Sequence, residues 1–251
     1  MASANPYESD ALLHQYLVFH YAPAHVQFPN KLGAQDGLHF PERCVAEGFD
    51  FDQLAGRQRA LDLGCAVGRS TFELARHFDE VQGIDYSQRF IDAARVLQQD
   101  SAHPARVHIE GDHFEEQEVQ APPHIEPSRV SFEAGDAQNL RDDLGDFDAV
   151  LAANLLCRLP QPHALLERLP GLVRPGGQLV LTTPFTWLEE YTPREHWLGN
   201  TGAESFAELQ SVLGPHFELL ASFDLPFLIR EHARKFQYGI ALASRWTRRE
   251  N

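Results

Sequence analysis

Short apolar runs that stop at a glycine or an acidic residue alternate, through most of the chain, with stretches in which apolar positions recur every three or four residues. Ala60, Leu61 and Leu63 around Asp62 form the first run, ending at Gly64. Val81 to Asp85, Val130 to Asp136, Phe147 to Asn154 and Gln178 to Thr183 form the next four. Phe147 to Asn154 is apolar almost throughout, as a central parallel strand covered on both faces must be. Helical spacing falls between the runs: Ser70 to Arg76 with Ser70 or Thr71 as N-cap, a helix capped by Ser87 and running to about Gln99, and Pro162 to Leu169. Upstream, Tyr7 to Tyr21 carries Leu12, Leu13, Tyr16, Leu17 and His20 at helical spacing behind Ser9 or Asp10; Ala22 to Phe40 reads as loop and Glu42 to Glu47 as a short helix. Downstream, Arg174-Pro175-Gly176-Gly177 turns into the fifth strand. A helix spans Ser205 to Leu213, and two long strands, Phe217 to Arg230 and Lys235 to Trp246, meet at a tight turn over Glu231 to Arg234. Asp100 to Ser128 interrupts this order. It is polar, acidic and broken by Pro122-Pro123, and reads as a surface loop or short hairpin inserted before the third strand. Strand and helix in alternation mean an open α/β sheet with helices on both faces. No repeat or linker divides the chain, so one domain is expected, with a helical cap over 1–57 and a core over 58–251.

Composition narrows the partners. At 43% hydrophobic residues the chain can bury a core, and its net charge of −15 argues against nucleic acid, whose phosphates are bound by Lys and Arg. A small-molecule partner fits better. Cys44, Cys65 and Cys157 are odd in number and widely spaced, which suits a reducing compartment rather than a disulfide framework. No leader opens the sequence and no apolar run approaches the roughly 18 residues a bilayer needs, so a cytoplasmic protein off the membrane is expected. His103, His108, His113 and His124 in the insertion match no metal-ligand spacing and read as solvated.

Candidate chemistry gathers at the strand ends. Arg59 to Ser70 is a strand, a glycine turn and the start of a helix, the opening of a nucleotide-binding unit. Its spacing is Asp62-x-Gly64-x-Ala66-x-Gly68, which lacks the middle of the dinucleotide fingerprint G-x-G-x-x-G and places an acid ahead of the first glycine. That suits a cationic cofactor without phosphates, with Asp62 biasing the loop and its water toward an ammonium group. Asp85 closes the second strand about 20 positions beyond Gly64, where an acid holds the two hydroxyls of a ribose. The third strand ends in Asp136-Ala137 and the fourth in Asn154, at the carboxyl edge where open sheets bind ligands.

The loop resembles motif I of the class I S-adenosylmethionine-dependent methyltransferases, D-x-G-x-G-x-G, with Ala66 for the middle glycine, and the later R-P-G-G turn before an apolar strand is similar to the same core. The resemblance implies a Rossmann-like, mostly parallel seven-stranded sheet in the order 3-2-1-4-5-7-6, counting core strands only, and adenosylmethionine as cofactor. Its implied contacts are Asp62, Gly64, Cys65, Ala66 and Gly68 in the loop, Asp85, Tyr86 and Ser87 at the second strand, and Asp136, Ala137 and Asn154 beyond. No cysteine nucleophile is implied, because sulfonium methyl transfer goes directly to the acceptor. The rival is a nicotinamide-binding Rossmann protein, disfavoured by the missing fingerprint. Asn154-Leu155-Leu156-Cys157 lacks the N-P-P-Y element of enzymes that methylate nucleobase or glutamine amines.

A narrower resemblance runs over Tyr7–Tyr21 (YESDALLHQYLVFHY), Asp62–Arg76 (DLGCAVGRSTFELAR), Ala152–Leu156 (AANLL), Pro184–Asn200 (PFTWLEEYTPREHWLGN) and Phe227–Gln237 (FLIREHARKFQ). These segments are similar to the methyltransferase family of ovothiol biosynthesis, which methylates 5-thiohistidine on the ring nitrogen next to the side-chain carbon. That family occurs fused to an iron-dependent sulfoxide synthase or as a separate protein. With no H-x-x-x-H-x-E iron motif and too short a chain for the synthase, this one is expected to be the separate form, functionally linked to a synthase elsewhere. An amino-acid acceptor needs an arginine for its carboxylate and an acid for its ammonium. Arg194, Arg230 and Arg234 are candidates for the first, Glu189, Glu190 and Glu231 for the second. Tyr16, His20, Tyr21, Trp187 and Tyr191 are candidates to wall the ring. His20, Tyr21 or Asn154 would orient it, and His20 is the first choice if a general base is needed. The alternatives are another small amino acid or metabolite as acceptor, and a cofactor-binding accessory subunit without chemistry.

Overall fold

Seven strands form one sheet whose members come from both ends of the sequence, as the alternation requires. In the computed structural model, which describes residues 5–30, 33–200 and 202–250, the strands are β1 (Arg59–Leu63), β2 (Glu80–Asp85), β3 (Ala102–Glu110), β4 (His113–Gln120), β5 (Val130–Ala134), β6 (Phe147–Ala153), β7 (Val173–Thr183), β8 (Phe217–His232) and β9 (Lys235–Arg248). The sheet order is β5-β2-β1-β6-β7-β9-β8, with β3 and β4 paired apart from it. Counting core strands alone, this is 3-2-1-4-5-7-6. The first five pair in parallel, while β9 runs antiparallel to both β7 and β8. Central β6 is buried at every position but its last, Ala153.

Among the described residues the α-helices are α1 (Asp10–Tyr21), α2 (Ala24–Gln27), α3 (Phe40–Ala46), α4 (Arg69–Leu74), α5 (Gln88–Asp100), α6 (Pro162–Arg168) and α7 (Ser205–Leu213), with short 3-10 turns between them. Leu17, Phe40, Phe72 and Phe90 from α1, α3, α4 and α5 bury one face of the sheet; Leu165 and Leu209 from α6 and α7 cover the other with Phe217 and Trp246. Ser9 caps α1, its hydroxyl accepting from the Leu12 N–H, and Ser87 caps α5 by accepting from Phe90. Helix α4 departs from the expected cap. Its N-cap is Gly68, in left-handed backbone (φ 89°), while Ser70 and Thr71 are buried inside the helix. The stretch read as loop also holds α2 and a 3-10 turn over Gln35–Gly37.

Two features extend the frame. The insertion is a hairpin of nine- and eight-residue strands, longer than expected and not a solvated loop, because Ala105, Val107 and Val119 are buried against the rest of the protein. It packs on α1, and the Arg106 N–H donates to His14 Nδ1 at 3.3 Å. Strands β8 and β9 overhang the sheet: β7 pairs only with 242–247 of β9, whereas β8 follows β9 to the hairpin turn. The free arm bends over α3, with Phe227 and Phe40 ring centroids 5.4 Å apart and the Tyr238 hydroxyl 3.0 Å from Asp36 Oδ2.

Candidate active site

The carboxyl ends of β1, β2, β5 and β6 open onto one cavity of about 830 Å³, closed opposite them by the N-terminal segment, α1 and the overhanging arm. That is near the top of the range small-molecule sites occupy. The glycine turn forms its floor. Gly64 (φ 72°) and Ala66 (φ 48°) both take left-handed backbone. Gly64 and Cys65 N–H groups donate to the Ile84 carbonyl at 2.8 and 3.1 Å, and Ala66 N–H donates to Asp85 Oδ2 at 2.8 Å. Asp85 Oδ1 accepts from Ser87 N–H at 2.8 Å, and desolvation pushes this carboxyl up to about 6. Gly64, Cys65, Ala66, Asp85, Tyr86, Asp136, Ala137 and Asn154 all line the cavity.

Three expected cofactor residues stand behind it instead. Asp62 is 1% exposed and accepts from Thr71 Oγ1 at 2.7 Å, so it fastens α4 to β1 and is not part of the cavity lining; burial lifts its carboxyl to about 7. Gly68 faces the core, where a Cβ would lie 2.7 Å from Phe132 Cζ. Ser87 is fully buried and donates to the Tyr7 carbonyl at 2.9 Å, clipping the N-terminal segment over the site.

Asn154, in left-handed backbone (φ 50°), receives the Thr182 hydroxyl on Oδ1 at 3.0 Å, which leaves its amide Nδ2 for the cavity. Beyond it the wall is aromatic: Tyr7, Tyr16, His20, Phe90 and Tyr191, with Phe227, Tyr238 and Ile240 from the arm. The His20 imidazole is 8% exposed, and its Nδ1 has no hydrogen-bond partner. Desolvation, with Arg69 adding to it, lowers its pKa to about 3, so the ring is neutral.

Other candidates for the acceptor are placed elsewhere. Tyr21 is buried with its hydroxyl donating to the Val67 carbonyl at 2.6 Å; it anchors α1 to the glycine loop. Trp187 donates to Ser205 Oγ at 3.1 Å and stacks on Trp197, outside the cavity. Arg194 is exposed and paired with Glu189 at 3.0 Å. Arg230 alternates with the cavity-facing Ile229 and points to the opposite side, donating to the Val26 and His108 carbonyls (2.6 and 3.3 Å). It borders a separate cleft of about 720 Å³ between α1, the inserted hairpin and the arm, together with Glu231. Arg234 lines neither space, whereas Glu190 stands in the wall of the main cavity.

Sequence reasoning passed over Tyr7 and Arg158. Arg158 follows β6 on a 3-10 turn (Leu156–Arg158) and is the one charged residue between Ala149 and Leu159, a signal that was readable. Its NH1 donates to the Cys157 and Thr186 carbonyls (3.0 and 3.3 Å), and its Cζ lies 4.8 Å from the Tyr191 ring centre. Arg158 and the neutral His20 are the basic residues lining the cavity among the described residues. Cys65 and Cys157 also line it, as thiols whose pKa values burial raises.

The strand-end carboxylates and the backbone turn, with Arg69 paired to Glu42 and Glu73 and outside the cavity lining, fit a ligand with ribose hydroxyls and positive charge better than one with phosphates. Residues 61–179 match the family described as Methyltransferase domain. A ubiquinone biosynthesis O-methyltransferase from Coxiella burnetii is 26% identical over 126 residues, 50% of this chain and 43% of the relative, so the match spans less than half of that relative's length. A protein of the same name from Xanthomonas campestris is 26% identical over 82% of this chain and 74% of its own. Among solved structures, the N-methyltransferase NodS from Bradyrhizobium japonicum in complex with S-adenosylhomocysteine superposes with a TM-score of 0.53 at 16% identity, over 93% of this chain and 100% of its own. Magnesium protoporphyrin IX methyltransferase from Synechocystis gives a TM-score of 0.53 at 15% identity, over 89% and 91%. The fold is that of Rossmann-like methyltransferases, and residues 61–179 of it carry the match to the methyltransferase domain.

Proposed function

We propose that this chain methylates the ring nitrogen next to the side-chain carbon of 5-thiohistidine, giving ovothiol A. The observation that supports a small aromatic acceptor is the single cavity in which the strand-end half and the aromatic half meet at Asn154, so that cofactor and acceptor would share one compartment. The choice of thiohistidine comes from the resemblance of five segments to the ovothiol methyltransferases.

Bound adenosylmethionine supplies an electrophilic sulfonium methyl group. Asp85 accepts from the ribose hydroxyls, and Asp136 with the Ala137 amide meets the adenine edge. Asn154 Nδ2 and the neutral His20 bond the acceptor ring and decide which of its atoms faces the methyl group, which matters because the thiolate sulfur is the better nucleophile. Glu190 takes the ammonium group. With its pKa near 3, His20 is a hydrogen-bonding group and not a proton acceptor at neutral pH. None is required. In the thiolate form the target nitrogen would keep its lone pair, so taking a methyl group from the sulfonium, with the thioether as leaving group, would turn the acceptor anion into a neutral thiolate–imidazolium pair without loss of a proton.

The second reading is a phenolic acceptor, after the name of the curated relatives. It would need a base to take the hydroxyl proton, and His20 is poorly suited to that. Labelled adenosylmethionine offered with 5-thiohistidine, histidine, catechols and other small amino acids separates the readings. Transfer to thiohistidine is the expected result. Transfer only to a phenol or another metabolite favours the alternatives, and tight cofactor binding with no transfer to any acceptor favours an accessory role.

A further inference from the structure

Arg158 is the one arginine that lines the main cavity among the described residues. The chain carries 36 acidic residues against 21 lysines and arginines, yet no carboxylate among the described residues lies within salt-bridge distance of this guanidinium, and it lines the cavity. Its fixed partners are neutral: two carbonyls and the Cys157 sulfur at 3.4 Å, all on NH1, and the face of Tyr191. Around it stand Tyr7 and Tyr16, ring centroids 6.0 Å apart, with Tyr191 6.4 Å from Tyr7. Desolvation raises the Tyr7 phenol and pushes Tyr16 up to about 12, so both remain O–H donors at neutral pH. A half-buried cation with a planar fork of donors, flanked by neutral hydroxyl donors, is the chemistry that recognises a carboxylate. The cluster gathers around the 3-10 turn that follows β6, just beyond Asn154.

We propose that Arg158, with Tyr7 and Tyr16, is the socket for the methyl acceptor's carboxylate, so that the enzyme selects amino acids or other aromatic acids over uncharged analogues. The identity of the acceptor here rests on the thiohistidine reading; the socket itself does not. Seating the carboxylate at Arg158 fixes one end of the acceptor, and the ring then swings about that anchor toward Asn154 and His20. Arg158 is thus a binding residue that sets specificity, and the arginines sought in Pro184–Asn200 and Phe227–Gln237 leave the task to it.

The test is calorimetry on the protein loaded with S-adenosylhomocysteine, using 5-thiohistidine and its decarboxylated amine, in wild type and in Arg158→Gln and Arg158→Lys. One or two charge-assisted hydrogen bonds correspond to a preference for the acid of about tenfold to a hundredfold in wild type. This preference should vanish in Arg158→Gln and survive in part in Arg158→Lys, with S-adenosylhomocysteine affinity unchanged. A preference that persists in Arg158→Gln, or is absent from wild type, overturns the socket. Loss of S-adenosylhomocysteine binding in the variant also overturns it, since Arg158 would then serve the cofactor's carboxylate. If 5-thiohistidine does not bind at all, the thiohistidine reading fails, and the socket is judged on imidazole acetate and hydroxybenzoate against their amides. An acid preference that Arg158→Gln abolishes still supports it, and equal binding of acids and amides overturns it.

Discussion

At the scale of single residues, burial governs what each group in the site can do. Gly68 combines φ 89° with a Cβ position 2.7 Å from the Phe132 ring, so Gly68→Val costs the fold rather than only blocking a ligand. We expect a loss of about 1–3 kcal/mol or more, read as a lowered Tm in the cofactor-free protein; an unchanged Tm would contradict it. Asp85, raised to about 6 in the free protein, must be ionised to accept from a ribose. Cofactor affinity should therefore be full above pH 6 and fall by up to about tenfold per unit below it. Asp85→Asn should bind weakly at every pH without that slope, and a wild-type slope in the variant would remove the assignment. Asp62 is raised from 3.8 to about 7, so the stability contributed by its protonated form is present below 3.8 and lost as pH rises through 7. Thermal unfolding of Asp62→Asn against wild type should show the wild type losing ground between those limits. Burial holds the cavity thiols Cys65 and Cys157 protonated, so the double alanine variant should retain most of its turnover, and loss of turnover with cofactor binding intact would contradict this.

At the scale of elements, the parallel core was legible because its strands are short apolar runs with one meaning each, and β6 in particular has no amphipathic alternative. The strand-end residues Asp85, Asp136 and Asn154 followed from their positions on those runs. What escaped the sequence depends on which way a side chain faces after the chain leaves the core. Arg230 and Ile229 are neighbours on β8, and only the arm's contact with α2 and β3 decides which of them meets the cavity. Tyr16 and Tyr21 share α1, yet one lines the site and the other is spent on the Val67 carbonyl. The inserted hairpin hid its burial because Ala105, Val107 and Val119 are a thin apolar stripe among charges. Its packing on α1 gives it a role in supporting the acceptor wall. Val107→Asp should speed hydrogen exchange across α1 and raise KM for the acceptor, with exchange in β1 and β6 unchanged. Equal acceleration in β1 and β6 would mean a general loss of stability.

At the scale of the whole molecule, the sheet delivers four strand ends to one edge, and the elements outside the core, the N-terminal segment with α1 and the β8–β9 arm, close a chamber over them. Among the described residues no helix is long and apolar enough to cross a membrane. A net charge of −15 surrounds a chamber whose carboxylates suit a cationic cofactor and whose lone guanidinium suits an anionic acceptor, so the two ligands would enter complementary halves. The central claim is that the acceptor ring is oriented to offer nitrogen and withhold sulfur. Mass spectrometric fragmentation of the product formed from labelled adenosylmethionine and 5-thiohistidine tests it most directly. The methyl group is expected on the ring nitrogen next to the side-chain carbon, with plain histidine essentially unreacted; a methyl group on sulfur, or equal rates on histidine, would contradict it.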